Sequence, residues 1–352
     1  MSQDLQDNLR EVLIKNGFEH FGWATLSPAL SFAHYESWIT HGYHGEMSYL
    51  ERHLPIKKDP EKWLSTRQPS KLGSANSAVV VAVPYKGGKR LEPLKSLKVA
   101  GYARSEDYHV WLHDRLAAVV ADLKKQFPNE QFLVATDSQP ILERDLAHRA
   151  GLGWFGKNTC LIDQRRGSFF LLGEIVTTLH LPVAGVPHPD RCGNCRRCID
   201  ACPTQAIVEP RVLDARKCIS YWTIESKSVP PSELREKFSD HFFGCDICQD
   251  VCPWNQKIVT PTPQDRHVVD EAAQRTDLIN ELRWVLESSS STLEKQLEHT
   301  PLSRARGFGL KRNAIVVCAN LKLTELREPI SRYITDSRLG ELASWALHEI
   351  DC

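Results

Sequence analysis

Apolar residues recur along the front of the chain in two rhythms. From Leu5 to Lys15 they follow helical spacing. Between Asp107 and Phe127, the positions Leu112, Leu116, Val119, Val120, Leu123 and Phe127 share one face of a longer helix, and such a helix should pack on a sheet. The run Ala78-Val79-Val80-Val81-Ala82-Val83, short, β-branched and closed by Pro84, predicts a buried strand of that sheet. Further strands are predicted at Gln131 to Ala135 and Ser168 to Thr178, with a short helix from Ile141 to Ala150 stopped by Gly151.

The pattern then changes twice. From Pro182 to Trp254 periodicity fades and cysteines stand among scattered Gly and Pro, so bound clusters are expected to replace most of a hydrophobic core there. From Pro261 onward helical spacing returns in Ile315, Cys318 and Ala319, and again in Leu339, Leu342, Trp345, Ala346 and Ile350. Short antiparallel helices of this kind resemble a HEAT-like repeat, and so few of them must lean on neighbours for burial. The chain therefore divides into an α/β stretch over 1–181, a cysteine-rich stretch over 182–258 and a helical stretch over 259–352.

Composition adds limits. A chain of 352 residues has room for two or three domains. The 44 basic residues balance 44 acidic ones, so a nucleic-acid partner needs a local basic patch rather than overall charge. Neither a basic-then-apolar leader nor a long uncharged stretch is present, which predicts a cytoplasmic protein.

The strongest chemical signal is a repeated cysteine run. Cys192-x-x-Cys195-x-x-Cys198-x-x-x-Cys202-Pro203 is followed, after a lone Cys218, by Cys245-x-x-Cys248-x-x-x-Cys252-Pro253. In the bacterial ferredoxin arrangement the fourth cysteine of a run ligates the other cluster, which assigns Cys192, Cys195, Cys198 and Cys252 to one 4Fe-4S cluster. Cys218, Cys245, Cys248 and Cys202 then hold the second. Zinc knuckles use two closely spaced thiolates each, whereas these runs offer three and then a fourth before proline. Cys160, Cys318 and Cys352 have no partner spacing.

Gly151-Leu152-Gly153-Trp154-Phe155-Gly156 matches the dinucleotide fingerprint by letter, but a helix precedes it and an extended stretch, Lys157 to Ile162, follows. A loop whose glycines let backbone approach a flat ligand is the better reading. Just upstream, Asp137 in Thr136-Asp137-Ser138-Gln139-Pro140 has two readings. It caps the next helix with help from Ser138, or it is a catalytic acid whose pKa is raised by an apolar pocket. The stretch Ser303 to Asn313, with Arg304, Arg306, Lys311, Arg312 and flexible glycines, reads either as a phosphate clamp or as a solvated loop before a helix starting at Lys311. Arg191, Arg196 and Arg197 stand beside the first cysteine run.

Assembled in order, Asp107-Tyr108-His109, Thr136 to Arg144, Gly151 to Asn158, Gly167 to Glu174, Cys218 to Tyr221 and Gly244 to Gln249, interleaved with both cysteine runs, resemble the epoxyqueuosine reductases over nearly the whole chain. That resemblance implies a nitroreductase-like cobalamin-binding domain, a two-cluster ferredoxin domain and a helical domain that helps hold a tRNA anticodon stem-loop. It implies reduction of epoxyqueuosine to queuosine at the wobble position. Electrons would pass from an external donor such as a flavodoxin or ferredoxin through two 4Fe-4S clusters and cobalamin. Asp137 matches the family's proton donor, and Lys57, Ala100, Leu161, Leu172, Ser220 and Asp246 match its cobalamin contacts. Lys57 stands where some relatives carry a guanidinium, and Ser138-Gln139 replaces a smaller pair. The chain is expected to act as a monomer. The corrinoid pattern Asp-x-His-x-x-Gly is missing, since Asp107-Tyr108-His109-Val110-Trp111-Leu112 ends in Leu, so the cobalt is expected to lack a strong lower axial donor. Two competing readings are a corrinoid reductive dehalogenase and a plain ferredoxin-type electron-transfer module.

Overall fold

The computed structural model describes residues 2–61, 76–85, 94–137, 139–182, 187–256 and 271–352. Ser138, the boundary at 258/259 and the start of the helical stretch at Pro261 lie outside the described residues.

The strands, in chain order, are β1 (Phe21–Thr25), β2 (Ser77–Pro84), β3 (Lys98–Val99), β4 (Phe132–Ala135), β5 (Trp154–Phe155), β6 (Leu161–Ile162), β7 (Phe170–Thr177), β8 (Ile207–Glu209), β9 (Val212–Leu213) and β10 (His241–Phe243). Four of them form one antiparallel sheet in the order β1-β2-β7-β4. β2 and β7 pair along their whole length, from Ser77 opposite Thr177 to Pro84 opposite Phe170. Both faces of this centre are covered, which is why β2 reads as an unbroken apolar run.

One face packs Trp23, Val79, Val81, Leu171 and Ile175 against the helices Ser2–Lys15 and Tyr108–Gln126. A Cβ on Gly173 would lie 2.8 Å from Leu116, so the longer helix sits directly on the strand at that point. The other face packs Ala24, Ala78, Val80, Ala82, Ala135 and Val176 against the helix Glu143–Arg149 and against Leu152 and Leu161. That helix starts two residues later than its apolar pattern predicts. Leu142 occupies its N-cap position, and the Asp137 side chain turns elsewhere.

The helices Glu271–Glu287, Ser290–Gln296, Arg306–Asn320, Arg327–Ser331 and Gly340–Asp351 surround the third of these, whose Leu310, Ala314, Ile315, Val317 and Cys318 are fully buried. The same apolar core takes in Ile219, Tyr221, Trp222, Phe238, Phe242 and Phe243 from between the cysteine runs. β10 also pairs with β3 in parallel. The expectation that clusters stand in for a core across all of Pro182 to Trp254 is therefore corrected. The stretch between the runs is apolar and uses the core of the helices behind it. Among the described residues no helix is long and apolar enough to cross a membrane.

Candidate active site and cluster-binding thiols

Asp137 lies just past the end of β4 with φ +50°, a left-handed conformation that Asp and Asn tolerate better than most side chains. The Tyr108 hydroxyl donates to its Oδ2 at 2.6 Å, and His109 Nε2 lies 3.5 Å from the same oxygen. His109 is held in turn by Asp107, whose Oδ1 is 2.7 Å from Nδ1 and also accepts the His109 backbone N–H at 3.0 Å. The N-cap of the Tyr108–Gln126 helix thus orients the imidazole. The Asp137 backbone N–H donates to Glu143 Oε1.

This geometry replaces the helix-cap reading of Asp137 and reverses the expected direction of its pKa. Burial alone would raise the carboxyl, but His109, Tyr108 and Arg144 outweigh it and hold Asp137 below the ordinary carboxylate value. His109 moves the opposite way, because Asp137 and Asp107 overcome the lowering effect of burial. Tyr108 is pushed up by burial and by Asp137. The Asp137 side chain keeps 59% of its surface open beside these partners.

The residues matched to cobalamin contacts fall into three groups. Leu161 and Leu172 lie on the sheet face that also carries Ala135, two residues before Asp137. Ala100, Ser220 and Asp246 form a second group. Asp246 Oδ2 accepts the Gly101 N–H at 2.6 Å, the Ala100 N–H donates to the Phe243 carbonyl at 2.8 Å, and Ser220 Oγ reaches the Cys245 carbonyl at 3.5 Å. Burial raises the Asp246 carboxyl. Tyr102 bridges the two groups, since the charges of Asp137 and Asp246 both act on its phenol. Lys57 stands apart. It is buried and donates to the carbonyls of Leu50 and Arg52 at 2.6 and 2.8 Å, so it holds the loop carrying Tyr49 and presents no free charge.

A flat macrocycle with an apolar rim and amide arms fits this lining of tyrosines, small residues, leucines and one buried carboxylate. Both nitrogens of His109 are engaged with carboxylates, so it is not disposed to ligate a metal.

The eight thiols of the two runs sort into two quartets. After burial, the groups acting on Cys198 are Cys192, Cys252 and Cys195. Those acting on Cys245 include Cys218 and Cys202, and those on Cys248 include Cys218 and Cys245. Cys252 therefore faces the first run, and Cys202 faces the second. Among the described residues no three His, Cys, Asp or Glu side chains are gathered closely enough to hold a single metal ion. Both quartets lie against the front half of the molecule. Lys157 Nζ donates to the carbonyls of Gly193 and Cys195 at 2.6 and 2.9 Å, and Asn158 donates to the Cys248 carbonyl at 3.2 Å.

That contact redefines the glycine-rich loop. β5 and β6 form a hairpin, and only Leu161 and Ile162 of the expected extended stretch are strand. A Cβ at Gly153 or Gly156 would strike Ile162, so these glycines admit the chain's own hairpin rather than a flat ligand.

The basic stretch differs from the reading as a solvated loop before a helix at Lys311. It is helical from Arg306, with Gly307 pressed on Ser290. Arg304 forms a two-pronged pair with Glu225 at 2.8 and 3.0 Å, while Arg306 is exposed. Arg312 is buried and donates to the carbonyls of Trp222, Ser226 and Ser228. Burial lowers its pKa to about 10, with Glu46 and Tyr221 opposing. Arg312→Ala leaves those carbonyls without donors. It is expected to lower stability by about 3 kcal/mol in a denaturant melt and to leave the salt dependence of RNA binding unchanged.

Sequence reading missed Glu143 and Glu174 and gave Tyr108 and His109 no task. The one available sign was the Asp-Tyr-His triplet at a helix start.

Comparisons with known proteins bear on both regions. Residues 191–255 match the family model "4Fe-4S double cluster binding domain", and residues 67–138 match "Epoxyqueuosine reductase QueG, DUF1730". The epoxyqueuosine reductase of Cyclobacterium marinum is 36% identical over 312 residues, covering 87% of this chain and 94% of its own. A Bacillus subtilis epoxyqueuosine reductase, solved with its catalytic loop swung out of the active site, superposes with TM-score 0.81 at 26% identity, covering 99% of this chain and 91% of its own. An epoxyqueuosine reductase solved with an epoxyqueuosine-modified tRNA stem loop superposes with TM-score 0.79 at 26% identity, over the same shares of the two chains.

Proposed function

We propose, from the premise that this chain belongs to the epoxyqueuosine reductase family, that the surface around Asp137 is where the substrate epoxide is opened. The protein reduces epoxyqueuosine to queuosine in tRNA, and its double-cluster domain carries two 4Fe-4S clusters. Cys192, Cys195, Cys198 and Cys252 hold one cluster, and Cys202, Cys218, Cys245 and Cys248 hold the other. Ala100, Leu161, Leu172, Ser220 and Asp246 line the seat of a cobalamin, and Lys57 braces the loop beside it. The stretches 1–181, 182–258 and 259–352 carry the cofactor seat, the clusters and the RNA-facing helices respectively.

When bound, the clusters pass electrons singly and the corrinoid cobalt makes a pair of them available to the epoxide, which no side chain can do. The remaining steps fall to the chain. Tyr108 and His109 fix the Asp137 carboxyl from one side, so its free oxygen has a defined aim. A proton delivered there goes to the epoxide oxygen as the ring opens.

The observation that carries this reading is the Tyr108–Asp137–His109 constellation, set across Tyr102 from Asp246 in the second cysteine run. Its test is anaerobic reconstitution with cobalamin, followed by iron and corrinoid quantitation and an assay for queuosine on tRNA. About eight irons for two cubanes, bound corrinoid and queuosine formation are expected. Clusters without corrinoid would favour an electron-transfer module, and turnover of a halogenated compound without queuosine would favour a dehalogenase.

RNA binding gives a separate check. Arg306 is exposed, whereas Arg304 is already paired with Glu225. Arg306→Glu is expected to weaken tRNA binding and to reduce the salt slope by about one. Filter binding across a salt series reads both.

A further inference from the structure

Reducing an epoxide to an alkene and water consumes two electrons and two protons, but Asp137 can give only one proton before it must be recharged. A second acidic group stands directly behind it. Glu174 on β7 shares the sheet face of Leu172 and Val176, and pairs in register with Ala135 at the end of β4. Its side chain is 0% exposed, and among the described residues neither carboxyl oxygen has a hydrogen-bond donor. An ionised carboxylate in that position would be strongly unfavourable, so the group holds a proton.

Glu174 faces Glu143 in the first turn of the Glu143–Arg149 helix, and Glu143 Oε1 accepts the Asp137 backbone N–H. The charged groups acting on Glu143 are Asp137, Arg144 and His109, and those acting on Glu174 are Glu143 and Asp137. Burial, then Asp137, pushes Glu143 up to about 8. Burial, then Glu143, raises Glu174 well above the ordinary carboxyl value. Asp137 is shifted the other way. At neutral pH the carboxyl protons therefore reside on the two glutamates beside the reacting position.

We propose that Glu143 and Glu174 form a two-carboxyl proton store that loads Asp137 and so supplies the two protons of each turnover. This inference rests on the reading of Asp137 as the acid. In the first transfer the Glu143 O–H breaks as an O–H forms on Asp137, and that O–H breaks in turn as one forms on the epoxide oxygen, returning Asp137 to a carboxylate. The Glu174 O–H then breaks to restore Glu143. The same relay through Asp137 gives the second proton to the same oxygen, which departs as water, and solvent refills the store. The electron pair is the one the established reduction consumes. Both glutamates act through Asp137 and are positioning residues.

Infrared spectroscopy of the purified holoenzyme tests the store without turnover. The wild type should show a protonated-carboxyl C=O stretch at neutral pH that titrates through about pH 8. Glu174→Gln should remove one such component and leave the titration of the other near pH 8, because the charges acting on Glu143 are those of Asp137, Arg144 and His109. Absence of the band, or a band indifferent to Glu174→Gln, overturns the store whatever Asp137 does. Kinetics supply the second readout. Glu143 is protonated below its pKa and empties above it, so turnover should fall as pH rises through about 8. Glu174 is neutral on both sides of that limb, so Glu174→Gln should leave the limb in place and lower the rate below it by about ten-fold. Glu143→Gln, which keeps an acceptor for the Asp137 N–H, should abolish the limb, whereas a merely structural role of Glu143 would lower the rate at every pH and leave the limb in place. A limb that survives Glu143→Gln overturns the proposal. Failure of the Asp137 reading is distinguishable, because Asp137→Asn would then retain full rate while the infrared band persists.

Discussion

Asp137→Asn is expected to slow single-turnover reduction by about a thousand-fold while iron and corrinoid contents stay at wild-type levels. The substitution isolates the proton. Asn tolerates φ +50° as Asp does, so the loop after β4 keeps its path. An amide oxygen still accepts the Tyr108 hydroxyl, now held at 2.6 Å from the carboxylate. What disappears is a carboxylate able to take up and pass on a proton, together with the charge that raises His109. Rapid-quench measurement of queuosine after mixing pre-reduced enzyme with tRNA reads the effect. An unchanged rate would remove Asp137 from the chemistry.

Cys252→Ser should stop steady-state turnover altogether and release about half of the iron, the share of one of two cubanes. Its value lies in which half is lost. By position in the chain Cys252 belongs with Cys245 and Cys248, but its thiol faces Cys192 and Cys195. The paramagnetic signal that survives reduction of Cys252→Ser should therefore match that of Cys198→Ser and differ from that of Cys248→Ser. The opposite match would undo the crossed ligation.

How much of this was legible in the sequence follows from range. The β2 run and the apolar face of Tyr108–Gln126 are local patterns, and each emerged within a residue or so of its expected ends. The cysteine runs were legible because ligand spacing is itself a local signal. The proton machinery was not. Tyr108 reaches Asp137 across 29 positions, and Glu174 reaches the same place only because β7 lies beside β4. A single acidic residue in an apolar strand gives no sign of which side chain it will face. The basic stretch misled for a related reason. Residue type shows that Arg312 is charged, but only the packing of Arg306–Asn320 against Trp222 and Ser226 turns that charge inward. Lys57 was similar, since its ammonium is taken up by nearby carbonyls that composition does not reveal.

The segment between the two cysteine runs is fastened twice, at its thiols by whatever gathers Cys202, Cys218 and Cys245, and along its length by the helices it packs against. A ligand that binds only the folded form adds its binding free energy to the stability of all that folds with it. Iron supply is thereby coupled to the integrity of the helices at the far end of the chain. A molecule that has not received its inorganic cargo is expected to hold those helices less firmly.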